Sequence, residues 1–288
     1  MDKAAVNKRP LHGVKILEFA SILAIPSCAL HLSDMGAEVI KVEPLTGDPH
    51  RYGIGPILPD ESKGFTVMNR GKRSISVDLS RDEAREIIGK LVEQCDVVLM
   101  SLKLSDLQKF DLRYEDLVRW NNSLIYLEHA PYGPEGPYGQ DGGYDVVAQG
   151  MSGLASLMSR DIAGVPGSLT PAVADMATGL ASALAVVTAL RHRDATGVGQ
   201  KVGTSLLQSS LILAGNRIHW FAATDPSAWD QASEALAKAQ MEGSGFDEQR
   251  TILNNITNPG GGPATNTYFR YYRASDNFFA VGALSHGL

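Results

Sequence analysis

The sequence predicts an α/β fold built on an open, Rossmann-like parallel sheet. Short apolar runs of strand type alternate with helical patterns through residues 14–127. The first elements follow one another at the spacing of a βαβ unit, which implies parallel strands and a right-handed crossover. A chain of 288 residues is long enough to bury a sizeable core in one large domain or two smaller ones.

The first βαβ unit occupies the N-terminal residues. Val14–Phe19 is a short apolar run that predicts a strand. Ser27–Met35 carries apolar residues on one helical face, and Gly36 is placed to end that helix. Glu38–Val42 then predicts the second strand.

The alternation continues over the next eighty residues and extends the predicted sheet. Ser80 or Asp82 can cap the amphipathic helix in this region. The predicted elements are the strand Ser74–Leu79, the helix Arg81–Gln94, the strand Asp96–Met100, the helix Tyr114–Asn121 and the strand Leu124–Leu127.

The second half of the chain predicts a long loop, several helices and a smaller α+β domain. We expect a large domain at residues 1–222, and a linker with a partial small domain at residues 223–288. The predicted elements are the Gly- and Pro-rich loop Pro131–Gly143, the helices Asp145–Leu157, Met176–Arg191 and Gln200–Trp220, a surface helix or linker at Pro226–Gly245, and two strands within Thr267–Leu284 that turn at Ala274–Asn277.

Composition excludes several classes of partner. The net charge is -6 with both signs interspersed, so we expect no nucleic acid partner. Cys28 and Cys95 lack CxxC spacing, and the histidines lack ligand spacing, so we expect neither a disulfide nor a metal site. Met1–Pro10 is polar, and the Ala-rich helix ends at Arg191, so we expect a cytoplasmic protein without a signal peptide or membrane span.

The first strand-to-helix turn does not predict a dinucleotide site. A pyrophosphate-binding turn needs glycines that let the backbone approach the ligand. The turn Ala20–Pro26 contains no glycine, although Glu43 ends the second strand where a ribose-binding acid would lie. We therefore do not expect this sheet to bind NAD.

Asp175 is the one acid in an otherwise uncharged stretch, residues 165–190. Burying a carboxylate without a partner is costly, but helix N-terminal amides can solvate it and tune its pKa. The same position also suits an ordinary N-cap that stabilises the helix. The local sequence leaves both interpretations open.

Several motifs occur together in one order, and together they resemble the family III CoA-transferases. This family, also called CaiB/BaiF, includes α-methylacyl-CoA racemase. The motifs are Pro10–Glu18, Asp34–Pro44, Gly47–Arg51, Asn69–Ser74 with Val77–Leu79, Tyr132–Tyr138, Gly143–Asp145, Gln149–Gly153 and Asp175–Gly179.

The resemblance implies transfer of CoA from an acyl-CoA donor to a small carboxylic acid. Asp175 would be the catalytic nucleophile, forming an aspartyl–acyl anhydride and then an aspartyl-CoA thioester, and Tyr144 would belong to the catalytic site. CoA enters as substrate, and no prosthetic group is implied. Gly260, Gly261 and Gly262 resemble a flexible loop that closes over the intermediate, although an ordinary linker would have the same composition.

The resemblance also implies a set of CoA-binding residues. Because Leu23 replaces a polar residue of some relatives, only main-chain contacts carry over to that turn. Where relatives have Glu-Asn-Phe-Arg-Pro-Gly, this chain has Met100–Ser105, so Lys103 or Lys109 would supply the phosphate contact. The implied CoA-binding residues are Ile22, Leu23, Ala24, Lys72, Arg73, Lys109, Tyr144 and Asp145.

Two alternatives remain open beside the transferase. The racemase branch has a His-Asp pair where this chain has Tyr144 and Asp145, and tyrosine is a poor base for a carbon acid. Tyr268–Leu284 resembles the small domain of that branch more closely, but Ser285 stands where that branch has an acid. The family forms interlocked homodimers, and because the chain ends before the family's return segment, a truncated, non-catalytic CoA-binding protein is the other alternative.

Overall fold

The computed structural model describes residues 9–53, 55–59, 61–158, 161–215, 219, 221–223, 225–257, 269–275 and 278–282. By their tertiary contacts these residues divide into two units. The first lies within residues 1–154 and 168–214, and the second within residues 155–167 and 215–288.

The described strands form one large sheet and two small antiparallel pairs. The large sheet has six parallel strands in the order β3-β2-β1-β4-β5-β8, which confirms the predicted open parallel sheet. The strands are β1 (Lys15–Phe19), β2 (Glu38–Glu43), β3 (Arg73–Ser76), β4 (Val97–Met100), β5 (Ile125–His129), β6 (Asp161–Ile162), β7 (Val165–Pro166), β8 (Gln200–Thr204), β9 (Phe269–Arg273) and β10 (Phe278–Gly282).

The described helices are eleven in number, with one further turn of 3-10 helix at Pro49–Arg51. They are α1 (Ala24–Asp34), α2 (Lys63–Asn69), α3 (Asp82–Val92), α4 (Leu104–Lys109), α5 (Tyr114–Leu117), α6 (Asp145–Met151), α7 (Leu154–Met158), α8 (Val173–Thr196), α9 (Leu206–Ala214), α10 (Asp225–Met241) and α11 (Phe246–Thr257).

The apolar runs of the central strands supply the core on both faces of the sheet. Successive side chains of a strand point to opposite faces, so a strand covered on both sides is apolar throughout. On one face the core includes Val97 and Leu99 with residues of α1 and α8. On the other it includes Val98, Met100 and Tyr126 with residues of α3.

Helix α8 is longer than the sequence predicted and packs closely against α1. It begins at Val173 and ends at Thr196, and Gly197 follows as a left-handed C-cap with a φ of 75°. A Cβ on Gly179 would lie 2.9 Å from the carbonyl oxygen of Ala24 and closer still to Oγ of Ser27. Glycine is therefore required where these two helices touch.

We expected no segment long and apolar enough to cross a membrane, but the length and composition of one helix meet those criteria, so this expectation is wrong. Helix α8 has 24 residues and a window of mean hydropathy 1.7. Core helices of α/β proteins meet the same criteria, and α8 buries Ala183, Val186 and Leu190 in the core beside the sheet. Helix length and mean hydropathy therefore do not assign α8 to a membrane.

Two other predicted elements differ from the structure. The single helix predicted at Gln200–Trp220 is strand β8 followed by α9, because residues 200–204 pair in parallel with β5. The helix predicted at Asp145–Leu157 is broken into α6 and α7 at Gly153, which has a φ of 75°. Helix α11 was not predicted. The two strands predicted near the C-terminus are confirmed as the antiparallel pair β9 and β10.

Candidate active site

A cavity of about 480 Å³ lies at the carboxyl ends of the central strands of the first unit. Its walls include residues 21–24 after β1, residues 101–104 after β4 and residues 129–131 at the end of β5. Strands β1 and β4 are neighbours, and the chain leaves them toward opposite edges of the sheet. This is the topological switch point, where open α/β sheets bind their ligands.

Asp175 lines this cavity from the first turn of α8. Ala172 is the N-cap of that helix, so the interpretation of Asp175 as an N-cap is wrong. Burial, and secondarily the nearby charge of Asp145, raises the pKa of the Asp175 carboxyl from 3.8 to about 7. A carboxyl with such a pKa is partly ionised near neutral pH and is more basic than an exposed one.

Asp145 is the first residue of α6 and is fixed beside Asp175. Its Oδ1 accepts a hydrogen bond of 3.0 Å from the backbone N–H of Asp175. The buried Gln149 donates its side-chain N–H to Oδ2 of Asp145, while its own Oε1 accepts the N–H of Leu169 at 3.0 Å. These donors fix the position of the Asp145 carboxylate, whose charge opposes ionisation of Asp175.

Six of the residues predicted for the site line this one cavity. Tyr144 is the N-cap of α6, and its side chain is 70% exposed. Leu23 and Ala24 are the N-cap and first residue of α1, so the N-terminal end of that helix also lines the cavity. The six residues are Ile22, Leu23, Ala24, Tyr144, Asp145 and Asp175.

The basic pair Lys72 and Arg73 is not among the residues that line this cavity. The ammonium of Lys72 is buried and lies 2.9 Å from the carboxylate of Glu18 and 2.9 Å from the carbonyl oxygen of Pro26. Arg73 is 70% exposed and pairs with Glu38 at 3.3 Å. Their predicted contact with CoA remains a prediction.

Lys109 lines a separate, smaller pocket of about 130 Å³. Arg81, Arg85 and Phe110 also line this pocket, so its walls are rich in cations. Lys103, the other lysine considered for a phosphate contact, lines the larger cavity with Asp175. The structure therefore separates the two lysines into different pockets.

Sequence reasoning missed His129, which ends β5 and lines the larger cavity. Its side chain is buried, and burial lowers the pKa of its imidazole to about 4, so it is neutral at pH 7. Within the part of the chain that the structure describes, its Nδ1 has no hydrogen-bond partner. Its place at the carboxyl end of a predicted strand was the signal that could have found it.

The predicted glycine loop, Gly260, Gly261 and Gly262, lies outside the described residues. Over the described ranges, no group of three His, Cys, Asp or Glu side chains is arranged to hold a metal. Cys28 and Cys95 are buried free thiols whose pKa is raised, chiefly by burial.

The fold and the site together define an open parallel-sheet α/β protein whose switch-point cavity contains a partly buried carboxyl of raised pKa. A family model described as CoA-transferase family III matches residues 11–288. The chain belongs to CoA-transferase family III, and the resemblance stated from its motifs is confirmed.

Curated relatives carry names of CoA-transferases. The succinate–glutarate CoA-transferase of Agrobacterium fabrum is 37% identical over 228 residues, 76% of this chain and 57% of that protein. The succinyl-CoA:mesaconate CoA-transferase of Haloarcula hispanica is 34% identical over 77% of this chain and 58% of its own length. The human succinyl-CoA:glutarate CoA-transferase is 37% identical over 71% of this chain and 47% of its own length. The chain thus spans about half the length of the curated relatives it matches.

Solved structures show the same fold. A CaiB/BaiF family protein from Brucella suis superposes with a TM-score of 0.72 at 31% identity, over 96% of this chain and 66% of that chain. Rv3272 from Mycobacterium tuberculosis superposes with a TM-score of 0.67 at 33% identity, over 73% of this chain and 59% of its own.

Proposed function

We propose that this protein transfers CoA from an acyl-CoA donor to a carboxylic acid, with Asp175 as the nucleophile. The observation that carries the proposal is the place of Asp175: in the switch-point cavity, beside a fixed second carboxylate, with a pKa of about 7. Membership of CoA-transferase family III and the names of the relatives support the same reaction.

The proposed reaction proceeds by four acyl substitutions. The Asp175 carboxylate attacks the donor thioester, the C–S bond breaks, and an aspartyl–acyl anhydride and CoA thiolate form. The thiolate attacks the aspartyl carbonyl, which releases the donor acid and leaves an aspartyl-CoA thioester. The acceptor carboxylate displaces the thiolate from that thioester, and the thiolate then attacks the acceptor's carbonyl, which yields the new acyl-CoA and restores Asp175.

The electrostatics of the cavity suit a carboxylate nucleophile. Partial burial makes the Asp175 carboxylate more basic than one in water, which compensates for the fraction that is protonated at pH 7. The N-terminal end of α1 places backbone amides at the cavity wall, where they can stabilise a developing oxyanion. A neutral His129 adds no positive charge that would lower the pKa of Asp175.

We propose that dicarboxylic acids and their CoA thioesters are the substrates to test first. The relatives are named for succinate, glutarate and mesaconate, which all carry two carboxyl groups. Lys103 lines the cavity, and its ammonium can form an ion pair with the second carboxylate of a dicarboxylic acid. Succinyl-CoA with glutarate or mesaconate is therefore the first pair.

We also propose that the whole protein is a cytoplasmic homodimer. Exposed apolar side chains on three neighbouring helices of the first unit support an interface between copies: Val146 and Val147 on α6, Leu180 and Leu184 on α8, and Ile212 and Leu213 on α9.

The test of the proposed nucleophile is chemical trapping. Incubation with succinyl-CoA and hydroxylamine should place a hydroxamate on Asp175, seen by peptide mass spectrometry, and Asp175→Ala should abolish it. Asp34→Asn is the matched control, because Asp34 is a half-exposed carboxylate paired with Arg70 and is not among the residues lining the cavity. A hydroxamate on another residue would contradict the assignment.

Two further measurements separate the alternatives. Rapid exchange of deuterium into C2 of a 2-methylacyl-CoA without any acceptor acid would indicate a racemase, whereas the names of the relatives favour transfer. CoA binding by calorimetry without adduct or turnover would indicate a non-catalytic CoA-binding protein.

A further inference from the structure

The motif Gly47–Arg51 has no role in the proposed chemistry, yet two of its side chains contact the backbone of a residue in the cavity wall. Asp48 and His50 are both buried, with 1% and 3% of their surface exposed. Both contact Ile22, which lines the cavity. Ile22 has a φ of 70°, in the left-handed region that a β-branched residue rarely adopts.

Both backbone polar groups of Ile22 are bonded to these two side chains. Its N–H donates to the Asp48 carboxylate, 3.2 Å from Oδ1 and 3.3 Å from Oδ2. Its carbonyl oxygen lies 2.9 Å from Nδ1 of His50, so the imidazole carries a proton on Nδ1 and donates it. Asp48 and His50 together form what we call the Ile22 clamp.

The clamp is itself anchored by a buried charge. The ammonium of Lys41 lies 2.9 Å from Oδ2 of Asp48 and 2.9 Å from Oε1 of Glu18, and it donates to the carbonyl oxygen of Ala20 at 2.6 Å. Asp48 also accepts the N–H of His50 at 2.9 Å. Lys41, Asp48 and Glu18 are each at most 1% exposed, so a change in one of them disturbs the others.

The other end of the same turn is held in a similar way. The buried ammonium of Lys72 lies 2.9 Å from the Pro26 carbonyl oxygen and 2.9 Å from Oε2 of Glu18. Glu18 therefore joins the two ammonium groups that bind the carbonyls on either side of Ile22. A strained backbone persists only where its surroundings hold it from several directions, and here they do.

From this geometry we propose that Asp48 and His50 are positioning residues for acyl-CoA binding. They act through Ile22, whose left-handed backbone sets the course of residues 21–24 along the cavity wall. Without the clamp, Ile22 relaxes toward negative φ, and only a fraction of molecules keeps the binding-competent wall. This inference rests on the proposed function, because it assumes that the cavity binds acyl-CoA.

The experiment is a double-mutant cycle on CoA affinity, measured by titration calorimetry with CoA itself as the probe. His50→Leu should weaken binding about tenfold, the ratio expected for releasing a strained backbone residue. His50→Asn keeps a donor close to the position of Nδ1 and should stay within about threefold of the wild type. In the Ile22→Gly background, where left-handed φ is not strained, His50→Leu should lower CoA affinity by less than about threefold.

Tyr126→Phe is the matched control. It also removes one buried side-chain hydrogen bond to a backbone carbonyl, that of Leu112 at 2.9 Å, but it lies in the core away from this turn. It should leave CoA affinity unchanged. An equal loss of affinity from His50→Leu in both backgrounds, or a similar loss from Tyr126→Phe, would overturn the positioning role.

A second measurement does not depend on CoA or on the folding of the His50 variants. At a left-handed position glycine is unstrained and alanine is not, so Ile22→Gly should be more stable to urea than Ile22→Ala, the reverse of their usual order. Equal stability, or a more stable alanine variant, would overturn the clamp. A wild-type chain that binds no CoA would contradict the proposed function, while this comparison still decides whether Ile22 is held as described.

Discussion

Replacement of Asp175 by asparagine should stabilise the protein by an amount that grows with pH. Asparagine keeps the shape of the side chain but cannot ionise. In the wild type, folding moves the Asp175 carboxyl from a pKa of 3.8 to about 7, because burial and the charge of Asp145 disfavour its ionised form. The folded state therefore binds a proton that the unfolded state releases, and stability is lost as the pH rises through this window.

The magnitude follows from those two pKa values. Linkage gives a cost of ionising Asp175 in the folded state of about 1.7 kcal/mol at pH 5 and about 4.3 kcal/mol at pH 8. The difference in unfolding free energy between Asp175→Asn and the wild type should thus increase by about 2.6 kcal/mol over that range. Below the unfolded pKa of 3.8 the pKa shift should contribute nothing to it.

The assay is urea denaturation of both proteins at half-unit steps between pH 5 and pH 8. Asp34→Asn is again the control, because it removes a half-exposed carboxylate that is not among the residues lining the cavity. A pH-independent difference for Asp175→Asn would refute the reasoning, since it would mean that the carboxyl titrates alike in the folded and unfolded states. A difference that shrinks with pH would show that the cavity favours the ionised form.

Three other substitutions test the packing and the charge network. Gly179→Ala should cost about 3 kcal/mol in urea denaturation because its Cβ would overlap Ser27, whereas Gly150→Ala, with open space around it, should be neutral or stabilising. Tyr126→Phe should cost about 1 kcal/mol in the same assay, since the buried hydroxyl donates a hydrogen bond of 2.9 Å that phenylalanine lacks. Burial opposes ionisation of Glu43, but hydrogen bonds to it outweigh burial and lower its pKa from 4.5 to about 2. The wild type should therefore lose stability as the pH falls from 4.5 toward 2, and circular dichroism should show a smaller loss over that interval for Glu43→Gln.

The strands of the sheet were predictable where their signal is local. Val97–Met100 is apolar without interruption, as a strand covered on both faces must be, and the structure places it at the centre of the sheet. Strand β8 was mistaken for part of a helix because Val202 is its one apolar residue, so this edge strand carries no local apolar strand pattern. Its identity depends on pairing with β5, about seventy residues earlier in the chain.

The site shows the same division. Asp175 was identified from its setting and its family motif, and the structure places it in the cavity. For His129, the one local signal was its place at the carboxyl end of a predicted strand. The resemblance implied that Lys72 contacts CoA, and only the fold shows that its ammonium is enclosed by Glu18 and the carbonyl of Pro26.

The sequence by itself determined the family, the alternation of strands and helices, and the motifs that contain Asp175, Asp145 and Asp48. These depend on residue type and spacing along the chain, which the sequence contains in full. Tertiary structure alone decided the raised pKa of Asp175 and the left-handed backbone of Ile22. Burial and charge proximity depend on distances between residues remote in sequence, and those distances exist only once the sheet has brought the ends of its strands together.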